Sequence, residues 1–228
     1  MTITDSLLSA FLKCPTKCWL RARNEIPSGN AYAEWVLEQN ESFRAAQIDR
    51  LLAETPPNKS ARSPSPAKLK SSKGHLAVDV GTVASWPAGC GSALLAEPTP
   101  NGTPGQPGGG TFELPLGSAL GPGPSALECC LHAIERVPPE GPGKAAQFIP
   151  IRCVFFNKLT KDDKLLLAFD AFVLMQALER NIPVGKIIHG DDHATLKVKI
   201  SALTGEVRKG IEKIVALLSS PTPADLVL

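Results

Sequence analysis

Cys14 and Cys18 are separated by three residues, a spacing that suits half a metal site or a pair of reduced thiols at a helix end. Cys129 and Cys130 are adjacent, and neighbours on a strand send their side chains to opposite faces, so this pair is a poor chelate and reads as core. His189-Gly190-Asp191-Asp192-His193 gathers four side chains able to hold a metal, yet the same Gly and Asp residues suit a hairpin turn. Lys158, Lys161 and Lys164, with Arg152 on a nearby strand, suit either a phosphate-facing patch or a solvated lysine loop. Glu128 and Glu135 are carboxylates that could serve as a relocated ligand set.

These residues need a frame. Phe148–Phe156 reads as a buried strand, and Thr160 with Asp163 forms a box-like start to a helix over Asp162–Glu179, which Asn181 and Pro183 stop. Leu165, Leu166, Leu167, Phe169, Phe172, Val173 and Leu174 make that helix apolar nearly all round, so burial is expected. Lys186–His189 and the alternating His193–Ile200 read as a hairpin joined by Gly190-Asp191-Asp192. A last helix is expected over Thr204–Ser219, and two earlier ones over Ser6–Lys13 and Ala31–Ala53, the latter with an apolar stripe through Trp35, Phe43, Ile48 and Leu51.

Between these ordered ends the composition changes. Thr55–Lys73 is rich in Pro, Ser and Lys and reads as a solvated linker, followed by a short strand at His75–Val83. More than half of Glu97–Pro124 is Gly or Pro, too little side chain to offset the entropy of ordering it. The expected organisation is a helical part over 1–54, a low-complexity linker or insertion over 55–125, and an α/β core over 126–228. A formal charge of +2 on 228 residues gives no evidence of nucleic-acid binding unless a local basic patch forms. Apolar runs are too short to span a bilayer and no signal pattern opens the chain, so a cytoplasmic protein without membrane contact is expected.

The run Phe148–Leu228, with Lys158-Leu159-Thr160-Lys161-Asp162-Asp163-Lys164-Leu165-Leu166-Leu167-Ala168-Phe169-Asp170 and Gly185-Lys186-Ile187-Ile188-His189-Gly190, resembles the RecB-like nucleases of the PD-(D/E)xK type, relatives of CRISPR-associated exonucleases. Phe11-Leu12-Lys13-Cys14-Pro15 resembles that family's opening, so the likeness covers about 1–54 and 126–228. It implies a restriction-endonuclease-like mixed sheet flanked by helices, which the Gly/Pro-rich stretch, expected from its composition to be disordered, would interrupt. It also implies phosphodiester hydrolysis with Mg²⁺ or Mn²⁺, held by an Asp and by the Glu of a Glu-x-Lys element whose Lys positions water.

Laid on this chain, that pattern puts His132 at the Asp, Arg152 at the Glu and Val154 at the Lys. A cation repels Mg²⁺ and valine cannot polarise water, so a catalytically inactive domain is expected. A Gln-x-x-x-Tyr element of the family meets Leu165 or Leu166 and Phe169 or Asp170 here. The resemblance further implies an iron–sulfur cluster held by Cys14 and three cysteines of a C-terminal tail; no cysteine follows Cys153, so the cluster is not completable in this chain and a truncated gene product is expected. Thr82–Pro124 resembles nothing in the family and reads as a compensated frameshift, which alignment of the coding DNA would test. The expected partner is DNA, through Arg152, Lys158, Lys161 and Lys164, and the sequence identifies no helicase or repair partner. The alternatives are a non-catalytic nucleic-acid-binding module and a decayed gene fragment.

Overall fold

A computed structural model of the chain describes residues 1–25, 29–86, 126–139, 141 and 145–220. Cys90, Glu97–Pro124 and the last eight residues lie outside these. The chain opens with strand β1 (Thr2–Thr4) and helices α1 (Asp5–Lys13), α2 (Pro15–Ala22) and α3 (Ala31–Glu54). Each start has a local cause. The Thr4 hydroxyl accepts from the Leu7 N–H at 3.2 Å, Pro15 opens α2 where its missing N–H costs nothing, and the Asn30 side chain accepts from Ala33 N–H.

The Thr55–Lys73 expectation is corrected. This stretch holds a 3-10 turn at Pro57–Lys59, strand β2 (Ser60–Arg62) and helix α4 (Pro66–Ser71), which Ser65 caps. Composition hides two anchors: Leu69 is buried in the main core, and β2 pairs in parallel with β3 (Leu76–Ser85). Three backbone rungs and one buried leucine hold a segment whose other side chains are mostly polar or proline.

The rest of the described chain is β4 (Ala126–Val137), β5 (Gln147–Val154), α5 (Lys161–Leu178), β6 (Val184–His189), β7 (Ala194–Lys199) and α6 (Thr204–Ser219). The expected capping box is present, Thr160 and Asp163 each satisfying the other's backbone N–H. β5 stops at Val154, two residues short of the expected strand, and Phe155 and Phe156 turn into an aromatic cluster with Trp35 and Phe43 of α3.

The strands form one open mixed sheet in the order β2-β3-β4-β5-β6-β7, with β1 added in parallel to β4. β4 runs antiparallel to both neighbours, β5 and β6 are parallel, and β7 returns antiparallel. Both faces are covered. On one, α1, α5 and α6 bury the main core around Phe169, Phe172 and Leu174. On the other, α3 covers a smaller cluster of Val78, Ala133, Ile151 and Ile188 with Ile48. The stripe expected along α3 is short: Gln47 and Ile48 are its buried residues, and Trp35 is 46% exposed. No helix among the described residues is long and apolar enough to cross a membrane.

Candidate functional site

The sheet forks at His132. Pairing between β4 and β5 runs from Val137 opposite Gln147 to Ala133 opposite Ile151 and then ends. The next rung would take the Cys153 N–H to the β4 backbone; instead His132 Nδ1 accepts it at 3.0 Å. An imidazole that accepts at Nδ1 carries its proton on Nε2. Loss of water, with the Arg152 and Arg44 guanidinium groups nearby, pushes the His132 pKa well below its ordinary value, so the ring is neutral. Past this point β4 takes β1 as its neighbour on the same edge, Thr4 lying opposite Glu128.

On the partner strand β3, Asp79 sits between the rungs that flank His132 and has φ +54°. Inward alternation slips by one residue there: Ala77 and Val80 belong to one core cluster and Val78 to the other. The left-handed backbone at Asp79 is held by an ion pair with Arg44 of α3 at 2.5 Å.

Arg152 fills the fork between β1 and β5. Its Nη1 lies 2.6 Å from Asp170 Oδ2 on α5, and its Nη2 lies 3.8 Å from Asp5 Oδ2, in the first turn of α1. Side-chain exposures are 14% for Arg152 and 3% for Asp170, so the pair is removed from water. Burial works against the guanidinium charge, but Asp170 and Asp5 more than offset it and the arginine pKa rises. Burial likewise pushes the Asp170 carboxyl up to about 6, against the pull of Arg152. Asp170 Oδ1 is buried with no partner among the described residues, and the Cys129 thiol reaches the Asp170 backbone carbonyl at 4.0 Å.

This donor set does not fit a divalent cation. Arg152 brings a positive charge of its own, the His132 lone pair at Nδ1 is engaged by a backbone N–H, and buried Val154 has no donor. Among the described residues no group of three His, Cys, Asp or Glu side chains converges as a metal site would require. Glu135 is ion-paired with Lys186. Glu128 lies four residues from His132, about 13 Å along the strand.

The other residues singled out by sequence are dispersed. Lys158 is exposed in the β5–α5 loop, Lys161 is ion-paired with Glu206 at 2.6 Å, and Lys164 is half-buried on α5. The His189–His193 stretch is a turn: Gly190 has φ +72°, Asp192 accepts from Ala194 N–H, and Asn157 donates to Asp191. His193 hydrogen-bonds Gln47 at 2.9 Å and stacks on Phe43. Cys14 ends α1 and precedes α2, where the Lys17 backbone N–H lowers its pKa, while burial raises Cys18 to about 11. The core reading of the Cys129–Cys130 pair holds for Cys129 alone and is corrected for Cys130, which is exposed because adjacent strand residues face opposite sides.

Sequence reasoning missed Asp5, Arg44 and Asp79 as parts of this region, and met Asp170 only as a departure from the family pattern. One signal was available. Asp170 is the sole charged residue between Leu165 and Leu178, and a carboxylate inside an all-round apolar helix requires a partner. Compared with protein-family models and with curated proteins, the chain matches none.

Proposed function

We propose that this chain is a RecB-like, nuclease-type domain that binds nucleic acid without cutting it. The observation that carries the reading is the buried Arg152–Asp170 pair with Asp5 beside it, standing where the resemblance implies a metal held by carboxylates. A guanidinium with its own counter-charges supplies neither a Lewis acid nor an activated water, so hydrolysis by the family's route has no machinery here. The order of a central strand β5, a buried helix α5 across the sheet and a returning hairpin β6–β7 supports the nuclease-like frame. The continuous core on both faces favours a folded module over a decayed fragment. Free thiols at the five described cysteines agree with a cytoplasmic setting.

The test is degradation of labelled single- and double-stranded DNA with Mg²⁺ or Mn²⁺, beside a binding titration at two salt concentrations. The expected result is intact DNA and an affinity that falls steeply between about 50 and 200 mM salt. Metal-dependent cutting that EDTA abolishes would overturn the silent site, and absence of salt-sensitive binding would overturn the nucleic-acid role. An Arg152→Glu/Val154→Lys double variant asks whether the frame can still take up a metal.

A further inference from the structure

We infer that the cavity beneath α4 is a binding site for a small organic anion, one that carries a phosphate or carboxylate on an apolar body. The cavity measures about 330 Å³, within the range of small-molecule sites. Leu69, Ala77, Ile134 and Phe148 supply apolar walls, and Arg136 and Lys68 line the same space. This site lies away from the fork, and the inference does not depend on nuclease ancestry.

Charge gives the sign of the ligand. Between Thr55 and Val78 the chain carries Lys59, Arg62, Lys68, Lys70 and Lys73 and no Asp or Glu. Two of these have counter-charges: Arg62 pairs with Asp49 and Asp79, and Lys70 pairs with Glu179. Arg136 and Lys68, which face the cavity, have no ion-pair partner among the described residues. The Nε of Arg136 is fully buried without an acceptor. An arginine that lines a water-accessible cavity without a counter-charge offers its guanidinium to an anion delivered there. The apolar walls explain why an inorganic anion alone would be a poor occupant. It would satisfy the cations and leave Leu69, Ile134 and Phe148 facing solvent-filled space.

The experiment is isothermal titration of the full chain with adenosine 5′-monophosphate and with octanoate, using adenosine and inorganic phosphate as the two half-ligands. The expected result is saturable binding of at least one amphiphilic anion with Kd below about 1 mM, both half-ligands binding about tenfold weaker or worse. Whether the nucleotide or the carboxylate binds identifies the head group, and either supports the site. Arg136→Gln should weaken that binding about tenfold or more. Lys68→Gln, a change on a surface helix that leaves folding intact, should weaken it less. Lys199→Gln, exposed on β7 at the opposite edge of the sheet from β2, should leave it unchanged. No saturable binding of either anion, equal binding of neutral adenosine, or binding indifferent to both Arg136→Gln and Lys68→Gln would overturn the inference.

Discussion

Two arginines on neighbouring strands have opposite surroundings. Arg152, on β5, lies in the fork with Asp170 at 2.6 Å and Asp5 at 3.8 Å, its charge balanced by side chains from α5 and α1. Arg136, on β4, lines a cavity and has no ion-pair partner among the described residues. Both carry the same group, but Arg152 is removed from water while Arg136 is half-buried against the cavity. A guanidinium with its counter-charges supplied joins strand to helix and has little left to offer a ligand. One that lacks them, beside apolar walls, is a recognition element.

The comparison is broken most directly by removing one side of the fork. Asp170→Leu should cost about 3–5 kcal/mol in urea unfolding, because it leaves Arg152 buried and unmatched. Arg152→Met/Asp170→Leu should recover most of that loss, since an apolar pair of similar volume carries no desolvation cost. A double variant as unstable as the single one would mean that the pair does not act as a unit.

The pH dependence sharpens the same point. Asp170 has a folded pKa near 6 against 3.8 for the free carboxyl, so the folded state binds this proton more tightly than the unfolded chain does. The group's contribution is therefore greatest below about pH 4 and declines as pH rises to about 6, a loss of up to about 3 kcal/mol. Unfolding midpoints measured from pH 4 to 7 should show this decline in the unmodified chain and lose it in Arg152→Met/Asp170→Leu; equal profiles would remove Asp170 as its cause.

Smaller effects separate the helix that carries Asp170 from the cavity. Thr160→Ala removes the cap of α5 and should cost about 1 kcal/mol in thermal or urea unfolding, with the fork intact. Arg136→Gln should change stability by about 0.5 kcal/mol or less, since no ion pair is broken. A loss there as large as at the fork would show that Arg136 is structural and erase the contrast.

Much of the fold was legible because its causes are local. The α5 boundaries follow from Thr160 and Asp163, the β6–β7 turn from Gly190 and Asp192, and α6 from its apolar spacing. The end of α5 was legible to within one residue from Asn181 and Pro183, the helix closing at Leu178 with Glu179 as a left-handed cap at φ +52°. The candidate site was half legible. Arg152, His132 and Val154 stand out as departures from the family pattern of residue types, whereas their counter-charges come from elements that no spacing rule connects to β5. The cavity was not legible, because a polar composition over Thr55–Lys73 outweighed the single buried Leu69.

By itself, the sequence determined where strands and helices begin and which of their faces are apolar, since capping, alternation and helical periodicity act between residues a few positions apart. Only the tertiary structure decided that β4 exchanges β5 for β1 at His132, that Asp5 and Asp170 converge on Arg152, and that α4 roofs a cavity lined by Arg136. Those outcomes depend on which distant groups share a low-dielectric space, where a charge must find a partner or remain costly, and no local pattern specifies that partner.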